Sequence, residues 1–82
     1  MKNKLALALK DAADRYLAWN TKTFSDDPKM VSVGEIDHGD LMTIASMIEN
    51  GEAPASIARA MGRLDTAVRD VIPNDVFYAY NQ

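Results

Sequence analysis

The sequence has 82 residues, a formal net charge of −3 at pH 7 and a hydrophobic content of 48%. A chain of this length is near the lower limit for burying a self-sufficient core, so we expect one domain that forms a homodimer to cover its remaining apolar surface. The sequence contains no cysteine, which excludes disulfides and thiolate metal sites and predicts a cytoplasmic protein. It has no apolar run near the ~20 residues that cross a bilayer, so no membrane partner is expected.

The first predicted element is an N-terminal helix over residues 1–19. Apolar residues recur there at spacings of three and four, which places them on one helix face: Leu5, Leu9, Ala12, Tyr16 and Trp19. The large ring of Trp19 is expected to anchor this face in the core.

Residues 20–36 are predicted to form a long loop. Asp27-Pro28 and Gly34 interrupt the stretch, and both are typical of turns. Loops of this length are often functional or mobile, although no residue in this one indicates a particular chemistry.

A second helix is predicted over residues 37–51. Asp37 is expected to cap its first turn, and Ile36 is placed to form a hydrophobic staple just before the cap. The helix is expected to end at Asn50-Gly51, a pair typical of helix C-termini.

Residues 54–73 predict two further short helices joined by a tight turn. Pro54 suits the first turn of one helix and Pro73 stops the other. Gly62 lies between them, where a backbone with positive φ would make the turn. The aromatic C-terminal segment, residues 74–82, is expected to add a last short helix that closes the core.

The stretch P-A-S-I-A-R-A-M-G-R-L-D-T-A-V-R-D-V-I-P resembles the helix-turn-helix of small DNA-binding domains, of the homeodomain-like and resolvase type. The resemblance rests on a small residue in the first helix, a glycine four residues later and a β-branched residue six after that: Ala58, Gly62 and Val68. It implies an all-α domain of four to five helices, with a tri-helical unit over residues 37–73. It also implies a transcriptional regulator that binds double-stranded DNA as a dimer.

The resemblance further implies a set of nucleic-acid-binding residues. The second helix of the motif would enter the major groove, where Arg69 would bind guanine and Thr66 would meet a phosphate or a thymine methyl. Asp65 departs from this pattern, because its carboxylate repels phosphate even though it can accept from a cytosine amino group. The full set of expected contacts, including those to the DNA backbone, is Ser56, Arg59, Arg63, Asp65, Thr66 and Arg69.

The charge of the C-terminal half favours a different partner. Residues 36–82 carry three arginines and seven acidic residues, whereas affinity for DNA depends on neutralising phosphates. The alternative is a small acidic adaptor or inhibitor, resembling the accessory proteins of phages and mobile elements, that binds a protein of nucleic-acid metabolism through the same scaffold. Asp65, Asp70, Asp75 and the aromatic tail would then meet a basic surface.

Catalysis has little support in the sequence. The only histidine is His38, expected to be an exposed polar residue at a helix start, and no glycine-rich phosphate loop is present. The pairs Asp26-Asp27 and Asp37-x-x-Asp40 lack the ligand number of a calcium or zinc site. We therefore expect a protein that is not an enzyme, with no metal and no cofactor.

Overall fold

A computed structural model describes the chain from residue 2 to residue 81 as an all-α domain, with five helices and no strand in that range. The helices are α1 (Lys2–Thr23), α2 (Pro28–Glu49), α3 (Pro54–Gly62), α4 (Thr66–Arg69) and α5 (Asn74–Tyr80). This architecture confirms the predicted small all-α domain of four to five helices. No helix in this part of the chain combines the length and the apolar character needed to cross a membrane.

Helices α1 and α2 form an antiparallel hairpin that dominates the molecule. Each has 22 residues, which corresponds to a length of about 33 Å. A short turn over residues 24–27 joins them. Lys10 near the start of α1 is paired with Glu49 at the end of α2, with 2.6 Å between Nζ and Oε1.

The predicted loop over residues 20–36 is wrong, because helix covers all of it except the turn. Asp27-Pro28 is a helix start rather than a loop turn: the Asp27 carboxylate accepts a hydrogen bond from the Met30 backbone N–H at 3.3 Å, and Pro28 occupies the first helical position. The predicted cap at Asp37 and the staple at Ile36 are therefore also wrong, since both residues lie in the interior of α2.

Gly34 marks a close approach of the two helices and not a break. A β-carbon built at this position would lie 1.9 Å from Nδ2 of Asn20. Asn20 is itself buried, and its amide donates to the Met30 carbonyl at 2.9 Å. The missing side chain of Gly34 thus makes room for a buried, hydrogen-bonded asparagine from α1.

The predicted end of α2 at Asn50-Gly51 is confirmed. Gly51 has a φ of 68°, and its N–H donates to the Ile48 carbonyl at 3.1 Å. The N–H of Glu52 donates to the Met47 carbonyl, also at 3.1 Å. These two bonds are those of a Schellman motif, which satisfies the free carbonyls of the last turn.

Helices α3, α4 and α5 cover one half of the hairpin. The core lies between them and the part of the hairpin next to the end of α2, and its buried residues are Ala6, Leu9, Ala13, Leu41, Ile44, Ala45, Ile48, Ile57, Met61, Val68, Ile72 and Val76. We call the other half, residues 16–38, the hairpin tip. Trp19 lies there and is 56% exposed, so its predicted role as a core anchor is wrong.

Candidate functional site

The six residues expected to bind nucleic acid fall on α3, on α4 and on the bend between them. Ser56 and Arg59 lie on α3 and Arg63 is its C-cap residue, and their spacing of three and four places them on one side of that helix. Both arginines are exposed, and Ser56 is half-buried. This face is the more basic part of the predicted set.

The helix expected to enter the major groove is a single turn. The motif leads to an expected second helix reaching nearly to Pro73, but α4 comprises only Thr66–Arg69. Asp65 and Thr66 are exposed at its start. Gly62 does not have a positive φ. Among the described residues, Gly51 is the one glycine with that conformation. The bend between α3 and α4 is thus made by residues 63–65 without the special glycine geometry that the sequence suggested.

Arg69 turns back towards α3 and caps that helix. Its Nε donates to the Met61 carbonyl at 3.3 Å, and its Nη2 donates to the carbonyls of Gly62 at 3.1 Å and Leu64 at 2.9 Å. The Gly62 carbonyl belongs to the last turn of α3, which leaves its acceptors without an N–H of the helix, and the Leu64 carbonyl lies just beyond that turn. The Met61 carbonyl also accepts from the Leu64 N–H at 3.2 Å. The positive charge of Arg69 also interacts favourably with the negative, C-terminal end of the α3 dipole. The Arg69 guanidinium therefore has a structural role, which is to cap α3.

A cleft of about 290 Å³ separates α4 from α5. Residues lining it include Arg69, Asp70, Asn74, Phe77 and Tyr78. Tyr78 is exposed, and its ring meets that of Phe77 edge-on with 5.7 Å between centroids. We call this surface, together with the exposed carboxylate of Asp75 in the first turn of α5, the acidic-aromatic face.

The carboxylates of the acidic-aromatic face have no cationic partner in the described part of the chain. Neither Asp70 nor Asp75 forms an ion pair there, and the adjacent Arg69 directs its donors at backbone carbonyls. An exposed aromatic ring and carboxylates without an ion pair combine apolar contact area with negative charge, a combination suited to a basic protein surface.

Two further polar contacts join α1 to α2, and the sequence did not predict either. The Tyr16 hydroxyl donates to Oδ2 of Asp37 at 2.9 Å, while His38 Nε2 lies 2.8 Å from Oδ1 of Asp14. Burial, together with the hydrogen bond to Asp37 and its charge, raises the pKa of Tyr16 from 10.0 to about 12. His38 thus lies inside a helix and bonded to α1, and not at a helix start. No local signal predicts pairs separated by more than twenty residues.

No group of three or more histidine, aspartate or glutamate side chains is placed to hold a metal ion within the described residues. No family model matches the chain, and comparison with curated proteins and with solved structures gave no match.

Proposed function

We propose that this protein is a small binding module that attaches to a basic surface on a protein partner through its acidic-aromatic face. The observation that carries the proposal is the cleft between α4 and α5, which Asp70 and Tyr78 both line, while Arg69 at the same cleft donates its hydrogen bonds to backbone carbonyls. The charge of residues 36–82, three arginines against seven acidic residues, supports attraction to a basic partner.

The class of partner follows from that charge. Proteins that handle nucleic acid carry basic surfaces that neutralise phosphates. An acidic face that reaches such a surface competes with the nucleic acid for it. The proposed role is therefore that of an adaptor or inhibitor for a protein of nucleic-acid metabolism, acting by occupying its basic site.

Binding to double-stranded DNA is the second candidate, and one observation favours it. Ser56, Arg59 and Arg63 lie on one face of α3, and neither arginine is paired with an acidic residue in the described part of the chain. Neutralising two phosphates gives only a shallow dependence of binding on salt, with a slope of about −2. With Arg69 occupied and α4 only one turn long, such binding would be weak and would depend on α3.

Two titrations separate the candidates. In the first, the protein is titrated with mixed-sequence duplex DNA at ~50 mM salt, where phosphate contacts are strongest. The adaptor role predicts no measurable binding below ~100 μM DNA. Micromolar binding that is lost in the double variant Arg59→Ala/Arg63→Ala would contradict the adaptor role and support the second candidate.

In the second, the immobilised protein captures partners from a nuclease-treated lysate of its own source, so that nucleic acid cannot bridge the two. The adaptor role predicts a basic partner that is retained by the wild type and lost in the double variant Asp70→Asn/Tyr78→Ala. The matched control is Asp26→Asn, an exposed carboxylate in the hairpin turn, which should keep the partner. Equal capture by the wild type and the Asp70→Asn/Tyr78→Ala variant would contradict the proposed face.

A further inference from the structure

A stripe of four exposed residues runs along the outside of α2, from the hairpin tip to just beyond it. Its members recur at spacings of four, three and four, which places them on one face of the helix: Lys29, Val33, Ile36 and Asp40. Val33 is 44% exposed and Ile36 is 64% exposed. Lys29 and Asp40 form no ion pair within the described part of the chain.

The order of this stripe is a cation, two apolar residues and an anion. When a second stripe runs antiparallel to the first, each charged end lies opposite the opposite charge, and the two apolar residues lie opposite apolar residues. We propose that α2 packs antiparallel against α2 of a second copy of this chain, around a two-fold axis midway between Gly34 and Glu35. This register brings Val33 opposite the partner's Ile36 and Lys29 opposite the partner's Asp40, each contact occurring twice as an isologous interface requires.

Helix α1 supplies an independent observation in favour of this axis. Asn20 packs on Gly34 and Tyr16 bonds to Asp37, so the level of the axis on α2 corresponds to residues 19–20 on α1. Trp19 lies at that level, on the same side of α1 as Tyr16 by helical spacing. The two-fold axis therefore brings Trp19 close to the partner's Trp19, which covers the largest exposed ring of the molecule.

The shape of the fold leaves space for the second copy. The core that α3, α4 and α5 share with α2 begins at Leu41, which leaves the α2 side of the hairpin tip uncovered. On the α1 side, Tyr16 and Trp19 line a groove with Val71 at the border of the α3–α5 unit. Trp19 rests on Tyr16 and Phe24, with ring centroids 6.3 and 6.0 Å apart, so its exposed edge is held in place. Two tips side by side would form a central four-helix arrangement flanked by the two α3–α5 units.

The chemistry of the stripe favours a second copy over an unrelated partner. A partner that covered only Val33 and Ile36 would need no particular charges at the ends of the stripe. Lys29 and Asp40 lie about one and a half turns of helix beyond the axis on either side, at matching distances from it. Arg63 lines a groove together with Asp40 but forms no ion pair with it.

The first test is the oligomeric state, measured by sedimentation equilibrium over a range of concentrations. The wild type should form a dimer, and Ile36→Lys should be monomeric, with a dimer Kd raised at least ~100-fold because two buried lysines would face each other's apolar surface. The matched control is Leu7→Lys, which changes an equally exposed apolar residue (61%) on α1 away from the tip and should leave the dimer intact. A wild type that stays monomeric at ~1 mM, or equal effects of the two lysines, would overturn the proposal.

The second test checks the register by charge reversal. Lys29→Asp and Asp40→Lys should each weaken the homodimer by ~10-fold or more, since each places like charges opposite one another at two symmetric positions. Mixing the two single variants should restore a heterodimer, because every pair is then opposite in charge. The double variant should restore the homodimer. Failure of the mixture to associate better than either variant alone would rule out this register.

Circular dichroism of each variant establishes that the monomers remain folded. The Asp70→Asn/Tyr78→Ala variant should keep the dimer, because the acidic-aromatic face lies outside the interface. The dimer can therefore fail its test while the proposed function passes, and the reverse is equally possible.

Discussion

The α1–α2 hairpin and the α3–α5 unit reach order by different means. The hairpin has two helices of 22 residues whose contact is fixed by side chains that cross from one helix to the other, such as Asn20 against Gly34. The α3–α5 unit has helices of nine, four and seven residues. Helices this short are not stable alone in water, so this unit depends on the hairpin surface and on caps such as Arg69.

The difference in helix length affects which surfaces each unit can expose for binding. A long helix can carry an exposed apolar stripe without losing its structure, because its remaining faces still hold it in place. A four-residue helix such as α4 has no further buried faces to hold it in place. Its one buried residue, Val68, already fixes its orientation. We therefore place the proposed self-association on the hairpin and the proposed partner contact on the side chains of the α4–α5 cleft.

The largest expected loss of stability comes from a substitution at the point where α1 and α2 approach each other closely. Gly34→Ala places a β-carbon 1.9 Å from Asn20 Nδ2, and the buried amide can move away only by losing its bond to the Met30 carbonyl. We expect the free energy of unfolding to fall by about 2–3 kcal/mol, measured by urea denaturation.

The matched control for Gly34→Ala is Gly39→Ala on the same helix. A β-carbon at Gly39 meets nothing within 4 Å, so this change should stabilise the protein by up to about 1 kcal/mol through helix propensity. A second-site change, Asn20→Ala, should recover part of the loss in the Gly34→Ala background by making room. Equal effects of the two glycine substitutions would contradict the close approach.

The next effect concerns the cap of the α3–α5 unit. Arg69→Ala removes three hydrogen bonds to the carbonyls at the end of α3 and should lower the free energy of unfolding by about 1–2 kcal/mol, a value that allows for the partial exposure of the side chain. Arg59→Ala, at an exposed arginine with no ion pair in the described part of the chain, should change stability by less than about 0.5 kcal/mol.

Hydrogen exchange shows where the loss caused by Arg69→Ala falls. Amides of α3 and α4 should exchange faster in that variant, while those in the centre of α1 remain protected. Uniformly faster exchange in both units would mean that they do not open separately. The hairpin and the α3–α5 unit would then unfold as one cooperative unit.

A smaller effect tests the bond between Tyr16 and Asp37. The pKa of Tyr16 is about 12 in the folded protein against an ordinary value of 10.0, so its contribution to stability is present below pH 10 and is lost as the pH rises through about 12. An absorbance titration of the folded protein should show a tyrosine step near pH 12. Tyr16→Phe should remove this step and lower stability at neutral pH by about 1 kcal/mol. A folded wild type without this step, or a Tyr16→Phe variant that keeps it, would contradict the bond.

Local signals in the sequence predict part of this fold, and contacts distant in the chain determine the rest. The Schellman end at Asn50-Gly51 depends on neighbouring residues, and it was predicted correctly. Gly34 was misinterpreted as a loop signal because the reason for a glycine there is Asn20, on another helix. Trp19 follows the apolar spacing of α1 but lies at the border of the part that α3–α5 cover, where it lines a groove with Val71 and remains 56% exposed. A helical pattern alone does not indicate where that covered part ends.

The candidate site shows the same division. The spacing of Arg59 and Arg63 on one face of α3 follows from helical periodicity, and the structure places them so. The orientation of Arg69 does not follow from periodicity, because its hydrogen bonds to Met61, Gly62 and Leu64 depend on how tightly the chain turns after α3. That turn shortens α4 to four residues, and no residue pattern within the motif indicates it.

The smallest expected effect falls at Gly62, where the helix-turn-helix resemblance and the structure lead to opposite results. A turn that needed positive φ would make Gly62→Ala destabilising by about 1 kcal/mol or more. In the structure Gly62 is the last residue of α3, its φ is not positive, and a β-carbon there meets nothing within 4 Å. We therefore expect Gly62→Ala to stabilise the protein by about 0.5 kcal/mol, measured as a rise in Tm. The control is Gly51→Ala, where φ is 68° and the same substitution should destabilise by about 1 kcal/mol. A gain at Gly62 beside a loss at Gly51 would mean that the glycine required for its positive φ is the one at the end of α2, and that the bend into α4 forms without such a glycine.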